Sequence, residues 1–200
     1  MTMRLPLFPL KTVLFPGGRL PLRIFEQRYI AMAKACLSDD QAFGVCCITQ
    51  GSEVVQAAAR DALPEFAAIG TLATLRGWDM PQLGILHVTA VGGARFHVRS
   101  HAAQPDGLIV ADAMPIATEP SVVLDEADRS LAQLLELLAA RLGSQHFPGD
   151  HAFDDASWVG YRLAELLPLP LSIKQDMLEI NDAKVRLTAL HKFLEQHGLL

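Results

Sequence analysis

The chain has 200 residues, of which 50% are hydrophobic; this is enough to build a folded core and excludes an intrinsically disordered protein. Its formal net charge is −5, which disfavours a nucleic-acid partner, because proteins that neutralise phosphates carry a basic surface. No apolar run approaches the roughly 18 residues of a membrane-spanning helix, so we expect no membrane partner.

The N-terminus and the cysteines both indicate a cytoplasmic protein. Pro6 and Pro9 interrupt the apolar N-terminal stretch, which is not typical of a secretory signal. The three cysteines are Cys36 and the adjacent Cys46 and Cys47, and their spacing matches no zinc-binding motif. The pattern favours reduced, buried thiols in the cytosol.

Extended segments and one helix are predicted near the start of the chain. Residues 4–11 and 12–24 are apolar but carry four prolines. Because proline donates no ladder hydrogen bond, we expect these segments at sheet edges or bends. An apolar stripe at helical spacing follows, from Phe25 to Cys36, and predicts a helix.

Further strands are predicted at residues 43–50, 69–78, 83–100 and 108–116, which are apolar runs bounded by turn residues. Within the third of these strands, Arg95, His97 and Arg99 alternate with apolar residues. This alternation predicts a basic stripe on a strand face that is exposed to solvent.

The second part of the chain changes to helical periodicity. We predict an α+β fold of two domains, a β-rich module at 1–117 and a helical bundle at 118–200. Ser172 and Gln175 have the spacing of a capping box at the start of one helix. Asp182 is placed to cap the last helix.

No motif predicts an enzyme or a cofactor. Gly17 and Gly18, like Gly92 and Gly93, match no phosphate-binding loop, so both pairs are interpreted as turn positions with positive φ. No serine lies in a GxSxG motif, and no cysteine has a histidine partner within a recognisable motif.

One segment is rich in potential metal ligands: His146, Asp150, His151, Asp154 and Asp155. Cations do bind such side chains. The segment nevertheless carries glycine and proline between helices, and it matches no HExxH or EF-hand register. A solvated loop is therefore the favoured interpretation, and no metal is predicted. A metal-dependent enzyme that uses His146, Asp150, His151 and Asp154 is the minor alternative.

The segment LPLFPLKTVLFPGGRLPLRIFEQRYIAM, residues 5–32, resembles the start of the substrate-binding N-terminal domain of Lon ATP-dependent proteases. In that family an apolar strand, an LFPG turn, an IFE-x-RY segment and a helix follow in this order. The likeness continues through FGVCCI, IGTLATL and LHVTAVGGARFHV. It extends into the helical half at LPLPLSIKQDMLEINDAKVRLTALHKFLE, so it covers nearly the whole chain.

The resemblance implies a PUA-like pseudo-barrel followed by a helical bundle, in a protein that binds unfolded or degron-bearing polypeptides. The Walker motifs and the Ser-Lys peptidase domain of Lon do not occur in these 200 residues. We therefore expect a non-catalytic recognition module, with an adaptor role in proteolysis or protein quality control alongside a separate protease or ATPase.

The predicted binding residues are Phe15, Leu20, Leu22 and Phe25, with Arg95 and Arg99 as polar contacts. The expected surface is apolar and lies on the pseudo-barrel and its junction with the bundle. The alternative function is a PUA-like small-ligand or RNA-binding module that uses the basic stripe. Salt separates the two, because phosphate binding weakens steeply as salt rises and apolar binding does not.

Overall fold

The strands predicted from the apolar segments are present in the computed structural model, which describes residues 2–53, 63–143 and 151–198. The chain divides into two units, Met1–Thr118 and Glu119–Leu200. The first unit is β-rich and the second is helical. This order confirms the predicted α+β fold class.

The first unit contains seven strands and one helix in its described part. They are β1 Met3–Leu10, β2 Arg19–Ile24, α1 Gln27–Asp39, β3 Phe43–Gln50, β4 Glu65–Phe66, β5 Ile69–Gln82, β6 Ile85–Ala103 and β7 Ile109–Pro115. Strands β5 and β6 form a long hairpin that extends beyond the predicted bounds of both strands.

Five of the strands form a closed ring in the order β1-β7-β6-β5-β3, because β3 pairs back onto β1 in parallel. Strand β2 is attached to this ring through β6, from Arg19 opposite Val91 to Ile24 opposite Leu86. Among the described strands, β6 is the one partner of β2. The other edge of β2 is therefore open.

Strand β1 has two partner strands, but each of its halves has only one of them, so the edge position predicted from its prolines applies to each half separately. Its N-terminal half pairs with β7 and its C-terminal half pairs with β3, and Leu7 alone takes part in both registers. Among the described strands, each half of β1 is unpaired along one side. Pro6 and Pro9 can therefore face that side, where no ladder hydrogen bond requires the N–H that proline lacks. Pro21 fits the prediction, since β2 has an open edge.

Two apolar clusters fill the first unit. One cluster joins helix α1 to the sheet through buried residues such as Tyr29, Met32 and Leu86. The other cluster consists of strand residues. Strand β1 contributes to both, because Leu7 and Phe8 point to opposite faces.

The turn before β2 docks on the middle of β6. The Gly17 N–H donates to the Gly92 carbonyl at 2.8 Å, and the Gly92 N–H donates to the Gly18 carbonyl at 2.9 Å. Gly17 has the predicted positive φ of 72°. Gly92 and Gly93 are not turn residues, in contrast to the prediction, because both lie within β6. A Cβ at Gly92 would lie 2.1 Å from the Phe15 carbonyl oxygen, so close backbone packing requires glycine there.

The second unit begins with a 3₁₀ turn, Glu126–Asp128, and continues with α2 Arg129–Leu142, α3 Ala156–Leu166, α4 Leu171–Glu179 and α5 Ala183–Gln196. The Asp182 carboxylate accepts two backbone N–H groups at the start of α5, which confirms the predicted cap. The prediction of a capping box at Ser172 and Gln175 is wrong, because Pro170 occupies the N-cap position and the helix starts at Leu171. Throughout the described ranges, no helix combines the length and the hydrophobicity needed to traverse a bilayer.

Arg186 of α5 is fully buried and is the centre of a polar network. Its Nε donates to the Met177 carbonyl at 2.9 Å and its Nη1 donates to Glu119 Oε2 at 3.0 Å. The hydroxyls of Tyr161 and Ser157 also donate to this carboxylate, at 2.6 and 2.7 Å. Burial alone would raise the pKa of Glu119, but the hydrogen bonds from Arg186, Tyr161 and Ser157 outweigh it and hold the pKa below its usual range.

Replacing Gly92 should destabilise the protein, whereas its neighbour should tolerate the same change. A Cβ at Gly93 would meet the Leu72 carbonyl oxygen at 3.5 Å, an ordinary contact. We expect Gly92→Ala to lower the free energy of unfolding by about 2 kcal/mol through overpacking. Gly93→Ala should change it by less than about 0.5 kcal/mol. Urea unfolding followed by circular dichroism measures both, and equal midpoints would contradict the close approach.

Replacing Glu119 should destabilise the protein in a pH-dependent manner. Glu119→Gln leaves Arg186 buried without a countercharge, so we expect a loss of about 3 kcal/mol at neutral pH. Because the folded-state pKa of Glu119 is lowered, its stabilisation is present above the unfolded-state pKa and is lost as the pH falls through the folded-state pKa. The difference between wild type and variant should therefore shrink in acid, below about pH 4.

The matched control for Glu119→Gln is Glu126→Gln, because Glu126 forms a surface salt bridge with Arg129 and its side chain is 83% exposed. The control should change stability by less than about 0.5 kcal/mol. Urea unfolding at neutral and acidic pH measures both variants. A loss for Glu119→Gln that does not vary with pH would argue against the ionised carboxylate as its cause.

Candidate functional site

A cavity of about 240 Å³ opens beside the open edge of β2. We call it the β2 groove, and its lining residues come from β1, β2, the first turn of α1 and three connecting segments: Phe8, Leu10, Thr12, Leu20, Pro21, Leu22, Arg23, Ile24, Phe25, Glu26, Tyr29 and Glu53. Strands β1 and β2 both contribute to it but do not pair with each other. The groove therefore lies between two strands that are not joined by a ladder.

Two aromatic rings form the floor of the β2 groove. Phe8 and Tyr29 stack with their ring centroids 4.1 Å apart, and both are buried. Burial raises the pKa of Tyr29 to about 12, despite the opposing effect of the Arg28 charge. The phenol is therefore neutral at physiological pH, and the floor presents uncharged aromatic surface.

Apolar side chains of β2 and the residue that follows it form the rim. Strand alternation directs Leu20, Leu22 and Ile24 to one face, and of these Ile24 is buried in the core, whereas the two leucines are half-buried. Phe25 lies between the end of β2 and the first turn of α1, and its side chain is 52% exposed. A large exposed aromatic group next to an apolar cavity is typical of a site that binds another molecule.

Three of the charged side chains near the groove, Glu26, Arg28 and Glu53, have partners. Arg28 forms a salt bridge with Glu26 at 2.8 Å and donates to the Gly107 carbonyl at 2.7 Å, so it fixes the start of α1. The Glu53 carboxylate accepts the Lys11 backbone N–H at 2.5 Å. These charged groups lie around the apolar floor and rim, and an apolar centre surrounded by polar residues is the arrangement found in protein interfaces.

The structure brings together three of the six predicted binding residues: Leu20, Leu22 and Phe25 line the groove. Phe15 is 0% exposed, so its prediction as a surface residue is wrong. The docking of the following turn on Gly92 buries Phe15 against β6.

Arg95 is 4% exposed, so the predicted basic stripe on a solvent face is also wrong. Thr71 lies opposite Arg95 on β5, and its hydroxyl donates to the Leu14 carbonyl at 2.5 Å. The segment before β2 therefore covers the sheet face on which Arg95 lies. A register shift between β6 and β7, between Val98 and Ser100, also interrupts the alternation on which the prediction depended.

Arg99 is exposed, but it lies away from the groove. Its Nε donates to the Met114 Sδ at 3.2 Å. Ala90, which pairs with Leu20, is nine residues earlier on β6. At about 3.3 Å per residue this separation is on the order of 30 Å along the strand.

The residues of the metal hypothesis do not form a described metal site. His146 and Asp150 lie outside the described residues. Asp155 caps α3, since its carboxylate accepts the Trp158 N–H at 2.9 Å, and it also accepts the Ser121 hydroxyl. In the part of the chain that the structure describes, no group of three or more His, Cys, Asp or Glu side chains could hold a metal ion.

The floor residues Phe8 and Tyr29 were not among the predicted binding residues. They are far apart in sequence and come together only when α1 packs on the sheet. Both residues nevertheless lie within residues 5–32, the segment that carries the family resemblance.

Residues 4–196 match the family described as the ATP-dependent protease La (LON) substrate-binding domain. The chain belongs to this family. A crystal structure of a Lon N-terminal domain protein from Xanthomonas campestris is 32% identical and superposes with a TM-score of 0.77, covering 95% of this chain and 98% of that chain.

The N-terminal domain of Mycobacterium avium complex Lon protease superposes with a TM-score of 0.65 at 16% identity, covering 98% of this chain and 100% of that chain. At this identity the likeness shows the fold alone. A search of the curated proteins found no match.

Truncating a floor residue should destabilise the protein, whereas truncating a rim residue should leave its stability almost unchanged. Phe8 is 7% exposed, so Phe8→Ala should lower the free energy of unfolding by about 3 kcal/mol. Phe25 is 52% exposed, so Phe25→Ala should change it by less than about 0.5 kcal/mol. Urea unfolding measures both. A large loss for Phe25→Ala would mean that this ring supports the core rather than the rim.

Proposed function

We propose that the protein is a non-catalytic module that binds unfolded or degron-bearing polypeptides through the β2 groove. The observation that carries the proposal is the exposed Phe25 ring beside an apolar groove, in a chain of the Lon substrate-binding family. The β-rich module at 1–117 provides this surface, and the helical bundle at 118–200 forms a separate subdomain.

The size of the groove favours a side chain as its occupant. Its volume of about 240 Å³ is below the roughly 300–1,000 Å³ of pockets that hold small organic ligands. One leucine or phenylalanine of a bound polypeptide would fit beside Phe25 and the floor. Burying such a side chain contributes about 1.5–3 kcal/mol.

The open edge of β2 provides backbone contacts beside the groove. The Gly18 carbonyl accepts the Gly92 N–H. Because every second residue of an antiparallel strand bonds to its neighbour, the continuous register directs the N–H and C=O groups of Leu20 and Leu22 to β6. Those of Arg19, Pro21 and Arg23 face the open edge. An extended polypeptide can therefore add to β2 as a further strand, a common mode of peptide recognition.

Among the described residues that line the groove, neither the two carboxylates nor the phenol is suited to catalysis. Glu26 is paired with Arg28, Glu53 accepts a backbone N–H, and Tyr29 is neutral at physiological pH. The alternative of a small-ligand or RNA-binding module has lost its main support, because Arg95 is buried and the predicted stripe does not form.

We infer a cytoplasmic adaptor role in proteolysis or protein quality control, in which bound polypeptides pass to a separate protease or ATPase. The cysteines are consistent with a reducing compartment, since all three are free and buried. Burial raises the pKa of the Cys46 thiol to about 12 and also raises those of Cys36 and Cys47, so these thiols are poorly reactive.

Binding of a fluorescently labelled, permanently unfolded polypeptide tests the proposed function by anisotropy. We expect saturable binding that persists at high salt, because the contact is apolar. Phe25→Ser should weaken it about tenfold, since one buried apolar contact is lost. The matched control is Leu137→Ser, an exposed apolar residue of α2 that does not line the groove.

A single-stranded RNA serves as the competing probe in the same titration. If RNA alone binds, and salt abolishes its binding, the proposed function is wrong and the alternative is right. Equal losses for Phe25→Ser and Leu137→Ser would instead place the polypeptide outside the β2 groove.

A further inference from the structure

The face of β2 and β6 that points away from the α1 core carries basic side chains. Ile24 and Leu86 point into that core, so their neighbours Arg23 and His87 point to the opposite face. Both are exposed, as is Arg76 on β5. We call Arg19, Arg23, Arg76 and His87 the cationic face.

A depression of about 430 Å³ lies on this face and is lined by residues of β2, β6 and β5. Arg23 lies opposite His87, and His87 lies opposite Asp79, so three strands meet in one row. Strands are about 4.8 Å apart, so a ligand about 10 Å across would touch all three. Trp78, which is 65% exposed, adds apolar surface to the same depression.

The arginines of the cationic face are not neutralised by neighbours. Arg28 and Arg186 each form a salt bridge with a glutamate. Within the described ranges, Arg19, Arg23 and Arg76 form none. Asp79 is the one carboxylate among the residues that line the depression. The cationic face is therefore locally positive, although the chain as a whole carries a net charge of −5.

The cationic face and the β2 groove share one strand segment. Pro21, Leu22 and Arg23 line both the groove and the depression. A polypeptide anchored in the groove would therefore reach the depression after crossing β2. An extended chain advances about 3.3 Å per residue, so the crossing takes about three to five residues.

We propose that the cationic face binds an acidic segment of the same polypeptide whose apolar residue occupies the β2 groove. This inference rests on the proposed function and specifies its substrate class: an apolar anchor followed or preceded by glutamate or aspartate. Carboxylates suit the face because arginine pairs with them through parallel hydrogen bonds. A nucleic acid suits it less, because a phosphate backbone is bound by an extended basic surface, whereas this face is a local basic patch in a chain of net charge −5.

Three labelled peptides test the inference, sharing one apolar segment and differing in flanks of glutamate, glutamine or lysine. At low salt we expect the glutamate peptide to bind about tenfold more tightly than the glutamine peptide, from a few exposed charge pairs. The lysine peptide should bind more weakly than either. High salt should bring the three dissociation constants together, since exposed charges are screened.

The double variant Arg19→Gln, Arg76→Gln should reduce the preference for glutamate and leave binding of the glutamine peptide unchanged, because neither side chain lines the β2 groove. Both side chains are exposed, so the variant should fold, and urea unfolding checks this. The matched control removes the same charge elsewhere, at exposed positions outside the face: Arg99→Gln and Arg141→Gln. It should retain the preference.

The outcomes separate the inference from the proposed function. If none of the peptides binds, the proposed function itself fails. If the glutamate and glutamine peptides bind equally well, the β2 groove stands and the cationic face is not a binding surface. If the control variant also loses its preference for the glutamate peptide, the preference results from the net charge of the protein, and the cationic face is not a specific binding site. A single-stranded oligonucleotide that binds the cationic face more tightly than the glutamate peptide would also overturn it.

Discussion

The backbone contact between Gly18 and Gly92 fixes the position of β2, and both surfaces of this unit depend on it. Once the turn is docked on β6, the register places Leu20 and Leu22 on the groove side and Arg19 and Arg23 on the opposite side. A shift of one residue would exchange the two sets of side chains. The absence of a side chain at position 92 is thus a condition for the apolar groove and for the cationic face together.

The open edge of β2 combines access with protection. An unpaired strand edge offers backbone groups to a polypeptide, but it also invites pairing between copies of the same protein. Pro21 removes one donor from the middle of this edge, and exposed Arg19 and Arg23 lie on either side of it. Proline and charge are the usual means by which proteins limit edge-to-edge association. The edge can therefore accept a short segment while remaining a poor template for continuous pairing.

The parts of the fold that follow local rules could be predicted from the sequence. Strand β3, helix α1 and the cap at Asp182 depend on a short apolar run, on helical spacing and on a polar side chain at a helix start, and all three were predicted. The errors at Phe15 and Arg95 have a common origin in tertiary structure. The segment before β2 folds over β5 and β6, and no local pattern indicates which face it covers. Of the groove, the rim was predicted because it is contiguous in sequence, whereas its floor was not.

The energetics of the groove explain why a second contact matters for recognition. One apolar anchor contributes about 1.5–3 kcal/mol, whereas association costs at least about 4 kcal/mol in lost translational and rotational freedom. The β2 groove alone therefore cannot hold a polypeptide, and stable binding requires strand addition along β2, contacts with the cationic face, or both. Because each contribution is small, the bound segment dissociates readily when any one of them is lost. A module that must release what it captures benefits from this division of the binding energy among several weak contacts.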